Sequence, residues 1–534
     1  MSQPESKDPS RSDPKDEQVP TVAQKVASGL AFNTLRAILS VVISIAYSVI
    51  AVRVLHIQNF GILAFLDSIF SLLGSLFMPL THSAQSRFIP ELRSQGKYPQ
   101  LRRLVGVGQK VNILLAVAVA APFLVFASPI AERLGDSSWT LYIQLMALGM
   151  VVSAVLGISK AILNALYDQK FLSIWESFFS AASLTLLVAF VVFLQWGVTG
   201  AILVGLVIYV ASAIVYHVRM NTRYRAEVRG DAAPLGKALD SRIRKYVFPG
   251  AATNLVYQFE SVYGGVIFLG LLADPSQVAY FDIPNTFVLR VFSHVTVVVG
   301  GLSLVSLVEV GVTDPSRLLG AARLFTKFVS IYAIPVMAGG FVLAPQILTV
   351  LYGIQILPAV DLFRVLLVAT CFGSVLQVSI ILLFVLEKAR RAFAWSILHA
   401  AFLLGLNLLL IPTLGAMGAV IAMSTATIAS AGLVTYDVAI RLKVGDFIPL
   451  LAISKTTMAS IFMASALFAV SEAYRITTWA SLGVMIAAGF VIYVLGLRVL
   501  RVFTDSDRRL VEASSLPLKR VMVGILWKDR KGKA

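Results

Sequence analysis

The chain is short of charge and almost without sulfur chemistry: of its 534 residues only 14% are Asp, Glu, Lys or Arg, and one is Cys. So little charge leaves no way to cover a water-soluble surface. Apolar residues make up 58% of the chain, against roughly 45–50% in soluble domains, and the mean hydropathy is +0.83. The lone Cys371 lies in an apolar run, which excludes an intrachain disulfide and a multi-cysteine metal site. The strict in/out alternation of a transmembrane barrel is absent. The Gly-Lys pairs at Gly96, Gly236 and Gly532 are followed by Tyr98, Ala238 and Ala534, so the Ser or Thr of a phosphate loop is missing. That argues against ATP-driven work by this chain alone. No cofactor or metal motif is present, and the outer loops are too short to hold a catalytic domain, so the expectation is a non-enzyme.

What the chain has in abundance is apolar runs long enough to cross a bilayer as helices, such as Ala37–Val52, Val111–Ala127, Ser180–Leu194 and Leu482–Leu497. Spans are predicted near 28–52, 60–81, 107–128, 140–163, 172–194, 198–218, 247–272, 280–307, 326–351, 360–384, 393–412, 416–440, 449–470 and 478–497. With the N-terminus inside, only Arg53, Arg133 and Arg475 fall in outer loops; the other loop and tail Lys and Arg face inward. This is the bias of the positive-inside rule, so both termini are predicted to be cytoplasmic. The net charge of +17 then calls for anionic headgroups near Arg219–Lys245 and Arg498–Lys533 rather than for nucleic acid. Met1–Lys25 is polar, without an apolar core, and reads as a disordered cytoplasmic tail.

The sequence also repeats. An offset of 218 residues aligns Trp196-Gly-Val-Thr-Gly-Ala-Ile-Leu with Leu414-Gly-Ala-Met-Gly-Ala-Val-Ile (Gly197 with Gly415). It also pairs Gly61 with Ala279, Gly135 with Gly353, and Lys170 with Lys388, always on matching sides of the membrane. The expected fold is therefore an all-α polytopic membrane protein of about fourteen helices. It comprises an N-lobe over 26–246, a C-lobe over 247–447 in pseudo-two-fold relation to it, two further helices over 448–500, and a basic cytoplasmic tail over 501–534. An even number of helices per repeat keeps both copies in one orientation, an arrangement that places substrate between rocking lobes.

Three blocks carry a family resemblance: Ala51-Val-Arg-Val-Leu-His-Ile-Gln-Asn-Phe-Gly-Ile, Ile334-Pro with Leu348-Thr-Val-Leu-Tyr-Gly, and Leu406-Asn-Leu-Leu-Leu-Ile-Pro-Thr-Leu-Gly-Ala-Met-Gly-Ala-Val-Ile-Ala. Over nearly residues 26–500 the chain resembles the polysaccharide-transporter branch of the multidrug/oligosaccharidyl-lipid/polysaccharide exporter superfamily, the oligosaccharide flippases. Where that branch usually reads Leu-Gly after the arginine of the first block, this chain reads Leu55-His56. The resemblance implies a protein of the bacterial cytoplasmic membrane. Its partners would be an undecaprenyl-pyrophosphate-linked oligosaccharide, membrane lipids, and polysaccharide polymerase and synthase proteins.

Such a cargo brings many hydroxyls, each costing roughly 2–7 kcal/mol to strip of water without replacement, and an anionic pyrophosphate that suits arginine. Intramembrane charges are therefore the candidate site residues. They are Arg36 in the first span, Asp67 in the second, Glu260 in the seventh, Arg290 in the eighth and Arg364 near the outer end of the tenth. Glu260 and Arg290 lie at similar heights and are expected to form an ion pair, or else to line a cavity with His294, one turn beyond Arg290. Arg36 has no acid at its level in the next span and is expected to contact pyrophosphate. Arg53 and Arg364 would receive or anchor headgroups at the outer surface, and Asp67 would pair with Arg53 or take a coupling cation. Lys160 and Lys455 are expected to snorkel to the inner surface.

Two rival classes stay open. A polytopic polymerase or glycosyltransferase would need a large outer loop. A multidrug exporter of the same superfamily would be expected to have twelve spans and an acidic cavity.

Overall fold

The computed structural model describes residues 22–134, 136–227, 232–259, 263–298, 315–386, 388–442 and 447–504. Side chains are also left undescribed in some helical stretches within them, among them 22–39 and 293–298. Among the described residues the fold is helical throughout.

The first helix, α1 (Val22–Ser94), has 73 residues. Straight, it would run about 110 Å, far beyond the roughly 30 Å of hydrocarbon it must cross. It breaks instead at His56, whose backbone takes φ 64° and ψ 164°, a region essentially reserved for glycine. This is the position where the resembled family carries Gly. Ala51 and Leu55 before the break share an apolar cluster with Phe60 and Leu63 after it, so the two arms fold back on each other. The turn between the two arms is thus compressed into one strained residue.

The chain continues as α2 (Tyr98–Val125), α3 (Ala127–Leu134), α4 (Thr140–Ala165), α5 (Gln169–Leu187, extended by a π-helical turn) and α6 (Gly197–Glu227). The second half follows with α7 (Lys237–Gln258), α8 (Gly264–Leu272), α9 (Pro275–Val298), α10 (Pro315–Val342), α11 (Ala344–Tyr352), α12 (Val360–Leu376), α13 (Val378–Val385) and α14 (Ala389–Tyr436). Like α1, α14 is one helix broken into two arms, here at Gly415 with φ 54°.

Ten segments of the described residues are long and apolar enough to cross a membrane. Two of these, Ser40–Leu76 and Arg390–Arg441, contain the breaks at His56 and Gly415 and each supplies two spans. Helix α7 with α8, and α9, occupy the positions of the seventh and eighth spans. The architecture is therefore the expected one of two six-helix lobes followed by α15 (Leu450–Ala473) and α16 (Trp479–Val499). The last two helices lean on the second lobe: α15 packs on α10, and the Tyr493 hydroxyl of α16 donates to the Ile331 carbonyl at 2.6 Å.

The duplication is visible in the backbone. Gly197, opening the sixth span, and Gly415, its counterpart at the 218-residue offset, both have positive φ, 56° and 54°. Contacts between the halves run mainly from α1 to α7, α8 and α9. With an even span count, the described ends at Val22 and Thr504 share one face of the molecule, called here the basic face; the face carrying His56, Gly197, Gly353 and Gly415 is the turn face.

Candidate binding cavity between the lobes

Both arms of α1, with α4 and α6 from the first half and α7, α9, α13 and the start of α14 from the second, line a cavity of about 1540 Å³. On the turn face three ties close it. Arg53 donates from Nε to the Leu351 carbonyl at 2.8 Å and from Nη2 to the Val350 carbonyl at 2.6 Å. These are carbonyls of the last turn of α11, where helix geometry leaves acceptors unpaired and the helix dipole favours a cation. The Arg53 guanidinium also lies 5.8 Å from the Trp479 ring of α16. Ser48 Oγ and the Tyr352 hydroxyl are 3.1 Å apart. Gly61 sits so close to the Pro275 carbonyl that a Cβ there would collide with it.

Toward the basic face the lining continues through Lys160, Phe384 and Phe393, near the ends of α4, α13 and α14. The cavity is therefore sealed at the turn face and extends toward the basic one. Outside the membrane on that face, Arg242 of α7 grips Glu91 of α1 through two bonds of 2.7 and 2.8 Å. The Arg242 hydrogen bond holds the Glu91 carboxyl below the usual carboxylate range.

The predicted residues divide by position. Asp67 and Arg290 line the cavity. Arg290 donates from Nη1 to the Ser44 carbonyl at 2.9 Å and also borders a smaller pocket lined by Ser40, Ser44, Ser180 and Ser183. Arg53 serves the turn-face seal, bonding to main-chain carbonyls and not to Asp67. Arg364 lies at the turn-face end of α12, bonded to Asp361 at 3.0 Å and to the Phe341 carbonyl at 3.2 Å, away from the cavity lining. Lys160, expected only to snorkel, lines the cavity and pairs with Glu176 at 2.9 Å.

The Arg36 and His294 side chains and the whole of Glu260 lie outside the described residues, and with them the expected Glu260–Arg290 pair.

Sequence reasoning missed Asp282. It lines the same cavity, two turns before Arg290 on α9, and accepts a bond from Thr286 Oγ1 at 3.1 Å. It also interacts electrostatically with Asp67 across the lobe boundary and with Arg290. The signal was present: an acid and an arginine eight residues apart share a helix face. Counting Asp282, the described charges of the cavity are no longer weighted toward cations. Tyr47, Tyr209 and Tyr263 complete the wall around the two carboxylates.

The comparisons agree with this geometry. A lipid II flippase MurJ in an inward closed conformation superposes with a TM-score of 0.69 over 88% of this chain and 98% of its own, at 14% identity. An inward-facing multidrug resistance MATE family transporter of the MOP superfamily gives 0.62 over 76% and 94%, at 16% identity. An outward-facing one gives 0.51 over 78% and 95%, at 15% identity. At these identities the likeness is one of fold. No curated protein matches the sequence. The model of the family described as polysaccharide biosynthesis protein matches residues 50–361, more than half of the chain. This multi-pass membrane protein therefore belongs to the polysaccharide biosynthesis protein family.

Proposed function

We propose that the chain is a flippase that carries an undecaprenyl-pyrophosphate-linked oligosaccharide across the bacterial cytoplasmic membrane by alternating access between its lobes. The observation that carries this reading is the cavity of about 1540 Å³, polar and charged at membrane depth, sealed on one face and continuing toward the other. A sugar headgroup needs such a path because its hydroxyls cannot cross hydrocarbon unpaired. Arg290 supplies a planar donor fork suited to a pyrophosphate, with Arg36 and His294 as further contacts and Arg53 and Arg364 at the outer end. Glu260 balances Arg290. The family match supports a role in surface polysaccharide synthesis, alongside polymerase and synthase proteins, and the lipid II flippase among the structural relatives supports a lipid-linked cargo.

The cycle then has a simple physical form. Cargo loads from the basic, cytoplasmic face; the Arg53, Ser48–Tyr352 and Gly61–Pro275 contacts part; and the lobes close on the basic side. No bond of the cargo is made or broken. The described acids Asp67 and Asp282 favour one rival, a multidrug exporter taking organic cations.

Deleting the gene, extracting the undecaprenyl-linked intermediates, and attempting rescue with the intact chain and with Arg290→Ala separates the readings. Completed oligosaccharide-lipid held on the inner leaflet, rescued by the intact chain but not by the well-expressed variant, is the expected result. Short unpolymerised units outside the membrane would mean that translocation is intact and would overturn the reading. So would a wild-type surface polysaccharide with altered drug tolerance alone.

A further inference from the structure

The described charges of the cavity are layered along the membrane normal. Lys160, neutralised by Glu176, lies nearest the basic face. Arg290 is fifteen residues into α9, about 22 Å from that helix's turn-face start at Pro275, whereas Asp282 is seven residues in, about 10 Å. Asp67 lies eleven residues past the His56 break, about 16 Å from the turn face. The closed end of the cavity is therefore acidic, and its two carboxylates come from opposite lobes.

The surroundings of that end are those of a sugar site. Asp67 lies within electrostatic reach of Asp282, Tyr47, Tyr209 and Tyr263. Tyrosine rings offer flat apolar faces to the C–H side of a pyranose and a hydroxyl at the rim. Carboxyl oxygens accept hydrogen bonds, so they match sugar hydroxyls and ammonium groups. A uronate or a phosphorylated sugar would bring a further negative charge against two neighbouring acidic side chains, in a site where water screens little.

We propose that Asp67 and Asp282 form a charge filter for the glycan, admitting neutral and amino sugars to the closed end of the cavity and rejecting acidic ones. The filter rests on the lipid-linked oligosaccharide reading and narrows it: Arg290 at mid-depth takes the pyrophosphate, and the acids above it read the sugar.

The test uses the full chain in nanodiscs and two synthetic undecaprenyl-pyrophosphate disaccharides that differ only in a terminal glucose or glucuronic acid. Affinities are measured at neutral pH by native mass spectrometry. The glucose lipid is expected to bind at least tenfold more tightly, about 1.4 kcal/mol. In Asp67→Asn/Asp282→Asn the ratio should fall to within about threefold, or 0.65 kcal/mol. A ratio compares two ligands on one preparation, so it remains readable even when part of the variant is unfolded. Equal affinities in the native chain, or a ratio untouched in the double variant, overturns the filter while leaving the flippase reading in place. Discrimination that follows sodium concentration instead of sugar charge assigns the carboxylates to a cation and also overturns it. If neither lipid binds, the functional reading fails and the filter with it.

Discussion

The two halves of the molecule solve the same local problems with different residues. At the junction of the fourth, fifth and sixth spans, Asp168 accepts from Arg219 at 2.8 Å, with Arg223 at 3.7 Å. At the matching junction of the second half the polarity is reversed: Asp437 of the last span accepts from Arg391 at 3.4 Å and from Trp395 at 3.2 Å. Arg219 and Asp437 are counterparts at the 218-residue offset, so the same backbone position carries opposite charges. What the duplication preserves is a tie between neighbouring helix ends, not the identity of either partner.

Elsewhere the halves share a conformation and differ in its surroundings. Gly197 and Gly415 have the same left-handed backbone, yet a Cβ on Gly197 would meet open space, whereas one on Gly415 would lie 2.7 Å from Gln277 Oε1. That amide oxygen accepts from the Ala416 N–H at 2.9 Å, fixing the turn in the second half only. The halves also differ where they meet: Gly61 faces the Pro275 carbonyl, while its counterpart Ala279 already carries a Cβ and is fully buried.

The largest expected effect comes from that last asymmetry. Gly61→Ala should weaken the sealed turn face by about 3 kcal/mol, because the new methyl meets backbone that cannot swing aside. In a Cys371→Ser background with Ser48→Cys, it should expose residue 48 to a membrane-impermeant thiol reagent added at the turn face. Unchanged labelling would mean that the close approach does not hold the seal.

Next come the reversed ion pairs. Asp437→Ala should cost about 2 kcal/mol of stability, chiefly by leaving the part-buried Trp395 indole N–H without its acceptor, since Arg391 is half exposed and re-solvates. Asp168→Ala should cost less, since only arginines, both more than a third exposed and ready to re-solvate, lose their acceptor there, and no indole N–H does. Exchanging Asp168→Arg with Arg219→Asp should recover most of the single-variant loss, as the second half's polarity implies. Thermal unfolding in detergent ranks all of these, and equal losses at both sites would break the comparison. Smallest is the turn pair: Gly197→Ala should cost about 1 kcal/mol from backbone strain alone. Gly415→Ala should cost measurably more through Gln277, and the same assay reads the difference.

Much of this fold is written in the sequence because hydropathy and periodicity are local properties. The spans, the repeat offset and the break after Leu55 follow from apolar runs and turn residues. The site was only partly legible. Asp67 and Arg290 stand out as charges in apolar runs, and both line the cavity. Asp282 lies near the start of its span, where a carboxylate taken alone looks like an interfacial residue; only its eight-residue spacing from Arg290 marks it, and the approach of α1 from the other half is what encloses it. The partners of Arg53 were unreadable for another reason. They are carbonyls, which every residue has, so no side chain marks positions 350 and 351 as acceptors.

A contact between one side chain and two carbonyls also constrains how the protein can change by mutation. Replacing Val350 or Leu351 leaves their carbonyl oxygens where they are, so nearly any codon is tolerated there as far as this contact is concerned. The guanidinium at position 53 has no such redundancy. A genetic screen for a leaky turn face should therefore return lesions at one end of the contact only, and revertants of Arg53 changes should map to other contacts between the lobes.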